Sequence, residues 1–105
     1  MDIQMKRGLL DILVLSAIKD EDSYGYRIIK DLSPYAEISE STLYPILRRL
    51  EAAGQLTVSS AAYNGRLRKY YRITRAGLAR IEDFKEEWKE LLSIYNYVTK
   101  GDKKR

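Results

Sequence analysis

The sequence predicts an α+β domain in which helices predominate, and three observations carry this prediction. Apolar residues recur at helical spacing in four separate segments of the 105-residue chain. An Asn-Gly pair separates the segments LTVSSAAY and RLRKYYRI, which is the strongest short-range signal of a β-hairpin. The last segment repeats its apolar residues at alternating steps of three and four, a pattern typical of a helix that pairs with another helix.

The composition limits the function classes. A chain with 45% hydrophobic residues can build one modest core. No apolar run is long enough to cross a bilayer, and the amino terminus lacks the apolar centre of a signal peptide, so we expect a cytoplasmic protein with no membrane partner. Because Cys and His are absent, thiolate nucleophiles, imidazole bases and most zinc sites are excluded. We therefore expect neither catalysis nor a cofactor.

The positive charge is concentrated in one segment. Between Ala52 and Ile81 there is no acidic residue, and the whole chain carries a net charge of +4. A cationic patch of this kind suits a nucleic-acid backbone, which releases counterions on contact. A solvated surface that only maintains solubility is equally compatible with the charge. The six cations of the patch are Arg66, Arg68, Lys69, Arg72, Arg75 and Arg80.

The first predicted helix, residues 8–20, is apolar nearly all the way round, so more than one of its sides should be buried. A second subunit can cover one side, and we assign Leu9 and Leu13 to that dimer interface. The acidic triplet at 20–22 lacks the spacing and the Gly of a calcium loop, so it predicts a turn and no metal site.

A second helix follows, for which Ser23 is the predicted N-cap and which should end before Pro34. Gly25 lies early in this helix and lowers its stability relative to Ala. Its presence there predicts a close approach by a neighbouring helix.

The third helix should begin at Ser39 or Ser41 and end before Gly54, which occupies the C′ position. Leu43, Leu47 and Leu50 form its apolar face. Pro45 falls beyond the first turn, where it removes a backbone hydrogen bond and predicts a local distortion.

The outward face of the third helix carries hydroxyls, a phenol and guanidiniums, which can reach phosphates or base edges in a DNA groove. An ordinary solvated helix face is the alternative. The residues predicted to contact DNA from this helix are Ser41, Thr42, Tyr44, Pro45, Arg48 and Arg49.

The hairpin register follows from a two-residue type I′ turn at Asn64-Gly65. Tyr63 then opposes Arg66, Ala61 opposes Arg68, Val58 opposes Tyr71, and Leu56 opposes Ile73. By alternation, Leu56, Val58, Tyr71 and Ile73 share the core face, whereas the cations crowd the turn. The residues predicted to contact DNA from the hairpin are Asn64, Gly65, Arg66, Arg68, Lys69 and Tyr70.

Three helices followed by a hairpin with a basic tip form the element order of a winged helix-turn-helix domain. In that fold the third helix enters the major groove, and the wing contacts the backbone or the adjacent minor groove. Both basic surfaces would then face one duplex.

Thr74 is the predicted cap of a last helix of about 25 residues, roughly 37 Å long. This length exceeds what the domain can cover, so we expect a homodimer, although the helix could also pack only on its own domain. Residues 1–74 are thus predicted to form the DNA-binding domain, 75–99 a dimerisation helix and 100–105 a basic tail. The predicted seam consists of Ile81, Phe84, Trp88, Leu91, Tyr95 and Val98.

The segments YGY at 24–26, TLYPILRRLEAAG at 42–54 and RKYYRIT at 68–74 resemble the PadR family of bacterial transcriptional regulators. The resemblance implies DNA contacts from Thr42, Tyr44 and Arg48 in the third helix, and from Arg66, Arg68 and Lys69 in the wing. It also implies the short, LmrR-like branch with a single carboxy-terminal helix, in which Trp88 would stack on a small aromatic effector.

We therefore expect a homodimeric regulator, specifically a repressor, that binds double-stranded operator DNA with an inverted repeat and is released by a small hydrophobic ligand. The alternative is a winged-helix module that binds a protein or RNA within a larger assembly. An enzyme that uses only carboxylates and Lys would need paired acids in a pocket, and the acids here fall on predicted caps and exposed faces.

Overall fold

A computed structural model describes residues 1–102, so residues 103–105 of the predicted basic tail lie outside the described residues. Within residues 1–102, four helices and one antiparallel hairpin follow one another. Their bounds are α1 Ile3–Ala17, α2 Gly25–Leu32, α3 Glu40–Ala52, β1 Leu56–Tyr63, β2 Arg66–Ile73 and α4 Arg75–Val98. The predicted α+β class and winged-helix element order are confirmed.

Helix α1 begins five residues before the predicted start at Gly8. The side chain of Asp2 accepts a hydrogen bond from the Gln4 backbone N–H at 3.0 Å and so caps the first turn. The helix ends at Ala17, before the acidic residues at 20–22, which lie in the loop to α2. Ile3 and Met5, the apolar residues of this added part, are two positions apart, which is not a helical spacing, so the sequence pattern missed it.

Ser23 is not the N-cap of α2, contrary to the prediction. Tyr24 occupies the N-cap position, but its side chain makes no capping hydrogen bond. Ser23 instead pairs with Tyr71 of the hairpin: the Ser23 N–H donates to the Tyr71 carbonyl at 3.2 Å, and the Tyr71 N–H donates to the Ser23 carbonyl at 2.8 Å. These two bonds extend the sheet by one bridge and attach the start of α2 to the base of the wing.

The core lies between α1, α2, α3 and the base of the hairpin. Ile81 was predicted to lie in the dimer seam, but it is only 6% exposed and belongs to this core. The reason is that the first turns of α4 pack on the domain itself. Leu13 also packs in part against the core of its own chain. The buried apolar residues are Val14, Leu15, Ile18, Ile28, Leu32, Leu43, Ile46, Leu47, Leu50, Leu56, Tyr71 and Ile81.

The hairpin confirms the predicted register at each of the four predicted pairs. Asn64 and Gly65 have φ values of 49° and 76°, which is the positive region that a type I′ turn requires. Leu56 and Tyr71 are buried, and Val58 and Ile73 pack partly against the core, so the core face is also as predicted. From Ser59 to Leu67 all residues are exposed, and this outer part of the wing projects from the core.

Helix α4 begins with the predicted cap, since the Thr74 hydroxyl accepts from the Gly77 N–H at 3.2 Å. Every residue from Lys85 to Val98 is exposed, and the molecule measures 62 × 26 × 24 Å because this helix extends beyond the core. None of the helices in residues 1–102 has both the length and the apolar character of a membrane span.

Candidate nucleic-acid interface

The first turns of α3 present a set of hydroxyl groups to solvent. Ser39 caps the helix by accepting from the Thr42 N–H at 3.3 Å. Its hydroxyl lies 2.8 Å from the Ser41 hydroxyl and 3.3 Å from the Thr42 hydroxyl. Ser41, Thr42, Pro45 and Arg48 are all exposed, as the sequence predicted. The helix continues through Pro45 without a break.

Arg49 is exposed, like Arg48, but its guanidinium is directed toward α1. Its guanidinium forms an ion pair with Asp11 of α1, a carboxylate that is 5% exposed. The periodicity of α3 could not reveal this contact, because the two residues are 38 positions apart in the chain. The side chain of Arg49 is thus 41% exposed, while its guanidinium is paired with the buried Asp11.

Tyr44 is partly buried between α3 and α2, and it also packs against the core. A Cβ on Gly25 would lie 2.6 Å from the Tyr44 hydroxyl oxygen, so only glycine permits this approach. The predicted close contact at Gly25 is confirmed. It holds the N-terminal ends of α2 and α3 side by side below the wing.

Arg68 of the wing is clamped between two tyrosine rings. Its guanidinium carbon lies 3.5 Å from the ring centroid of Tyr63 and 3.9 Å from that of Tyr24. Tyr24 also meets Tyr70 edge to face, with the centroids 5.9 Å apart. These contacts connect the outer part of the hairpin to the start of α2 through cation–π and aromatic interactions.

The remaining cations of the basic segment differ in their pairing. Arg72 donates two hydrogen bonds of 3.0 Å to the Asp22 carboxylate, and this pairing raises the pKa of Arg72. In the part of the chain that the structure describes, no carboxylate lies within ion-pair distance of Arg66, Arg68 or Lys69. Among the described residues of the basic segment, the positive charge without an acidic partner thus lies near the tip of the wing and at Arg75, the first residue of α4.

An open groove of about 1080 Å³ separates the wing from the N-terminal ends of α2 and α3. Wing residues from Tyr63 to Lys69 line one wall, and Tyr44 lines the other. Tyr24, Tyr26 and Glu40 also line the groove and were not predicted there, although the YGY segment contains two of them. Burial raises the pKa of the Tyr71 phenol at the base of the groove.

A second, apolar depression lies between α1 and α4. Phe84 and Trp88 stack there with their centroids 5.8 Å apart and their rings inclined by 21°. The depression has a volume of about 410 Å³, and Met5, Leu9, Ile12 and Leu91 also line it. The charged residues Arg80, Asp83 and Glu87 form the polar part of its lining. Trp88 is 49% exposed and Leu91 51%, so the single chain leaves this surface half open. No group of metal-ligating residues occurs within positions 1–102.

Comparison with known proteins identifies the family. The profile of the transcriptional regulator PadR-like family matches residues 14–83, which extend from the middle of α1 to the first turns of α4. This chain belongs to the PadR-like family of transcriptional regulators. The assignment accounts for the α3 and wing geometry, because these regulators are DNA-binding proteins with a winged-helix fold.

Related proteins support the assignment over most of the PadR-like chain. The transcriptional regulator Rv3488 of Mycobacterium tuberculosis is 33% identical over 89 residues, covering 84% of this chain and 83% of the relative. A PadR-like transcription factor from Bacteroides fragilis has a structure with a TM-score of 0.81 at 31% identity, covering 90% and 94% of the two chains. A PadR-like regulator from Bacillus cereus gives 0.79 at 33% identity, covering 93% and 98%.

Proposed function

We propose that this PadR-like regulator is a homodimeric repressor that binds an inverted-repeat operator. The observation that carries the proposal is the exposed apolar stripe on α4. Trp88, Leu91, Tyr95 and Val98 are 49 to 69% exposed in the single chain, on a helix whose last fourteen residues are all exposed. A symmetric dimer would bury this stripe and would place two reading surfaces on one duplex.

Helix α3 would read the major groove with the side chains that it leaves exposed. The hydroxyls of Ser41 and Thr42 can meet phosphates or base edges, and Arg48 can donate two hydrogen bonds to guanine. Pro45 would add apolar contact. Tyr44 would support these residues from the α2 interface, with only the exposed part of its ring available to DNA.

The wing would contact the sugar-phosphate backbone. Arg66 and Lys69 are exposed near the Asn64-Gly65 turn, where they can neutralise phosphates. Arg68 and Tyr70 would contribute in a different way. The guanidinium of Arg68 stacks on Tyr24 and Tyr63, and the ring of Tyr70 meets Tyr24, so these contacts would fix the angle between the wing and α2. The wing would then arrive at the backbone in a defined orientation.

The apolar depression at Trp88 would bind a small, flat aromatic effector in the dimer. A stacked Phe84 and Trp88 pair, open on one side, provides the apolar wall that such a ligand needs. Ligand binding between α1 and α4 would change the arrangement of the dimer helices and release the operator. The LmrR-like assignment of this chain belongs to the same proposal.

Two measurements test the proposed function. The first is footprinting on duplexes that the purified protein selects from a random pool, and the second is the molar mass of the protein in solution. We expect a dimer that protects two half-sites related by a dyad, with centres about 34 Å apart. A monomer at micromolar concentration whose footprint has no dyad would contradict it. Selective binding of RNA in place of duplex DNA would instead support the interaction-module alternative.

A further inference from the structure

Asp11 is a buried carboxylate that the proposed function does not use. It lies on α1, is 5% exposed, and both of its oxygens accept hydrogen bonds from arginines of other helices. Oδ1 accepts from Nη2 of Arg49, and Oδ2 accepts from Nη2 of Arg80 at 3.0 Å. One carboxylate therefore holds α1, α3 and α4 together.

The connection continues to the hairpin. Arg80 also donates from Nη1 to the Gln55 side-chain oxygen at 2.9 Å, and Gln55 immediately precedes β1. The Gln55 carbonyl accepts from the Thr74 N–H at 3.1 Å, at the start of α4. We call Asp11, Arg49, Arg80 and Gln55 the helix joint. It is the place where the reading helix, the wing and both proposed dimerisation helices meet.

The charge-assisted hydrogen bonds of the helix joint allow only a small range of distances and angles between the helices. Apolar packing between helices is non-directional, whereas charge-assisted bonds from planar guanidiniums constrain both distance and angle. A buried carboxylate that loses one of its partners is left with uncompensated charge, so tilting α3 against α1 carries a high cost. The side chains of Arg49 and Arg80 remain 41% and 32% exposed, so the cluster borders solvent.

We propose that Asp11 is a positioning residue: it sets the angle of α3 against α1 and α4, and thereby the half-site spacing that the dimer accepts. The inference rests on the proposed function, in which α1 and α4 form the dimer and α3 reads DNA. In such a dimer, the separation of the two reading helices depends on how rigidly each α3 is attached to its own dimerisation helices.

The test uses a duplex that the wild-type protein selects from a random pool, together with copies that carry one base pair more or less at the dyad. Each insertion moves the half-sites apart by about 3.4 Å and rotates them by roughly 35°. The variants are Asp11→Asn, Arg49→Gln and Arg80→Gln. The matched control is Lys89→Gln, which removes an exposed ion pair with Glu86 on α4 and does not touch α3. Affinities are measured at several salt concentrations, with circular dichroism to confirm that each variant is folded.

We expect the wild-type protein and Lys89→Gln to bind the original spacing much more tightly than the altered ones. In each joint variant this preference should fall by roughly two- to thirtyfold, with an unchanged salt dependence, because the phosphate contacts are intact. A general loss of stability would lower binding to all spacings alike. If Asp11→Asn does not fold, Arg49→Gln and Arg80→Gln decide the matter, since each leaves Asp11 with one guanidinium.

Two results would overturn the inference while leaving the proposed function in place: folded joint variants that retain the wild-type spacing preference, or a wild-type dimer that accepts all spacings equally. A wild-type protein that binds no duplex at all is a separate result, since it removes the proposed function and the inference together.

Discussion

The guanidinium of Arg68 and the ring of Tyr63 are stacked, with 3.5 Å between the guanidinium carbon and the ring centroid. The ring of Tyr24 contacts the same guanidinium, with 3.9 Å between the guanidinium carbon and the ring centroid. Because every residue from Ser59 to Leu67 is exposed, this clamp, together with the Tyr24–Tyr70 contact, relates the orientation of the outer wing to α2. Arg68 thus contributes to the positive charge of the wing and also orients it.

Arg68→Lys separates these two roles. Lysine keeps the positive charge, but its ammonium cannot stack as a planar guanidinium does. We expect DNA affinity to fall severalfold while the slope of log affinity against log salt stays the same. Binding titrations over a salt series measure both quantities. If Arg68→Lys binds as tightly as the wild-type protein, the clamp does not orient the wing on DNA.

Arg66→Ala and Lys69→Ala should weaken binding to all DNA sequences by a similar factor. Each removes one unpaired cation near the turn of the wing, so the log–log salt slope should shrink by about one unit. Glu82→Ala, an exposed acid of α4 paired with Lys85, is a suitable control that should leave the slope unchanged. A change in base preference with an unaltered slope would mean that these residues read bases.

Arg48→Ala and Thr42→Ala should show the opposite behaviour. Both residues lie on the exposed face of α3, where they would contact base edges. We expect each substitution to reduce discrimination by about 1 to 3 kcal/mol at one operator position, with little effect on non-specific binding. Competition between the operator and single-base variants measures this. Uniform loss at every position would assign these residues to the backbone.

Trp88→Ala tests the proposed effector site. Because Trp88 is the only tryptophan, planar aromatic dyes added without DNA should quench its fluorescence in the wild-type protein. In the variant, dye affinity should fall by roughly tenfold because the stacking partner is gone, whereas dimerisation and operator binding should persist. Loss of the dimer would show instead that Trp88 is a structural knob of the interface. Absence of quenching by any dye would remove the effector from the proposal.

Gly77→Ala should destabilise the fold although alanine is the better helix former. A Cβ at this position would lie 2.3 Å from the Gln55 carbonyl oxygen, a backbone atom that cannot move aside locally. We expect a loss of about 1 to 3 kcal/mol in the free energy of unfolding, measured by denaturant titration. Ala79→Gly, at an exposed position of the same helix, is the control. It should lower the free energy of unfolding by about 1 kcal/mol through helix propensity alone. A stabilised Gly77→Ala variant would contradict the contact.

Local signals in the sequence were sufficient for the elements and for several of their ends. The Asn64-Gly65 pair determined the register of the hairpin, because only a type I′ turn with two positive φ values connects strands by two residues there. Thr74, Ser39 and Gly54 marked helix ends through hydrogen bonds and backbone angles that involve neighbours within a few residues. These interactions are specified by adjacent residues and need no knowledge of the remaining fold.

Contacts between distant segments could not be predicted from local sequence patterns. Ser23 looked like an N-cap, but the approach of Tyr71 gave its backbone a strand partner. Ile81 fitted the heptad seam, and yet it is buried because the first turns of α4 lie on the core. In both cases the local pattern was compatible with two environments, and packing selected one of them.

The sequence by itself determined where the positive charge lies along the chain and which turn carries it outward. Only the tertiary structure decided which of these charges remain available to a ligand. Arg72 and Arg80 of the basic segment pair with Asp22 and Asp11, whereas Arg66 and Lys69 extend beyond the reach of those acids. The physical reason is that an ion pair needs two charges within a few ångströms, and residues 50 or more positions apart acquire that proximity only when the chain folds.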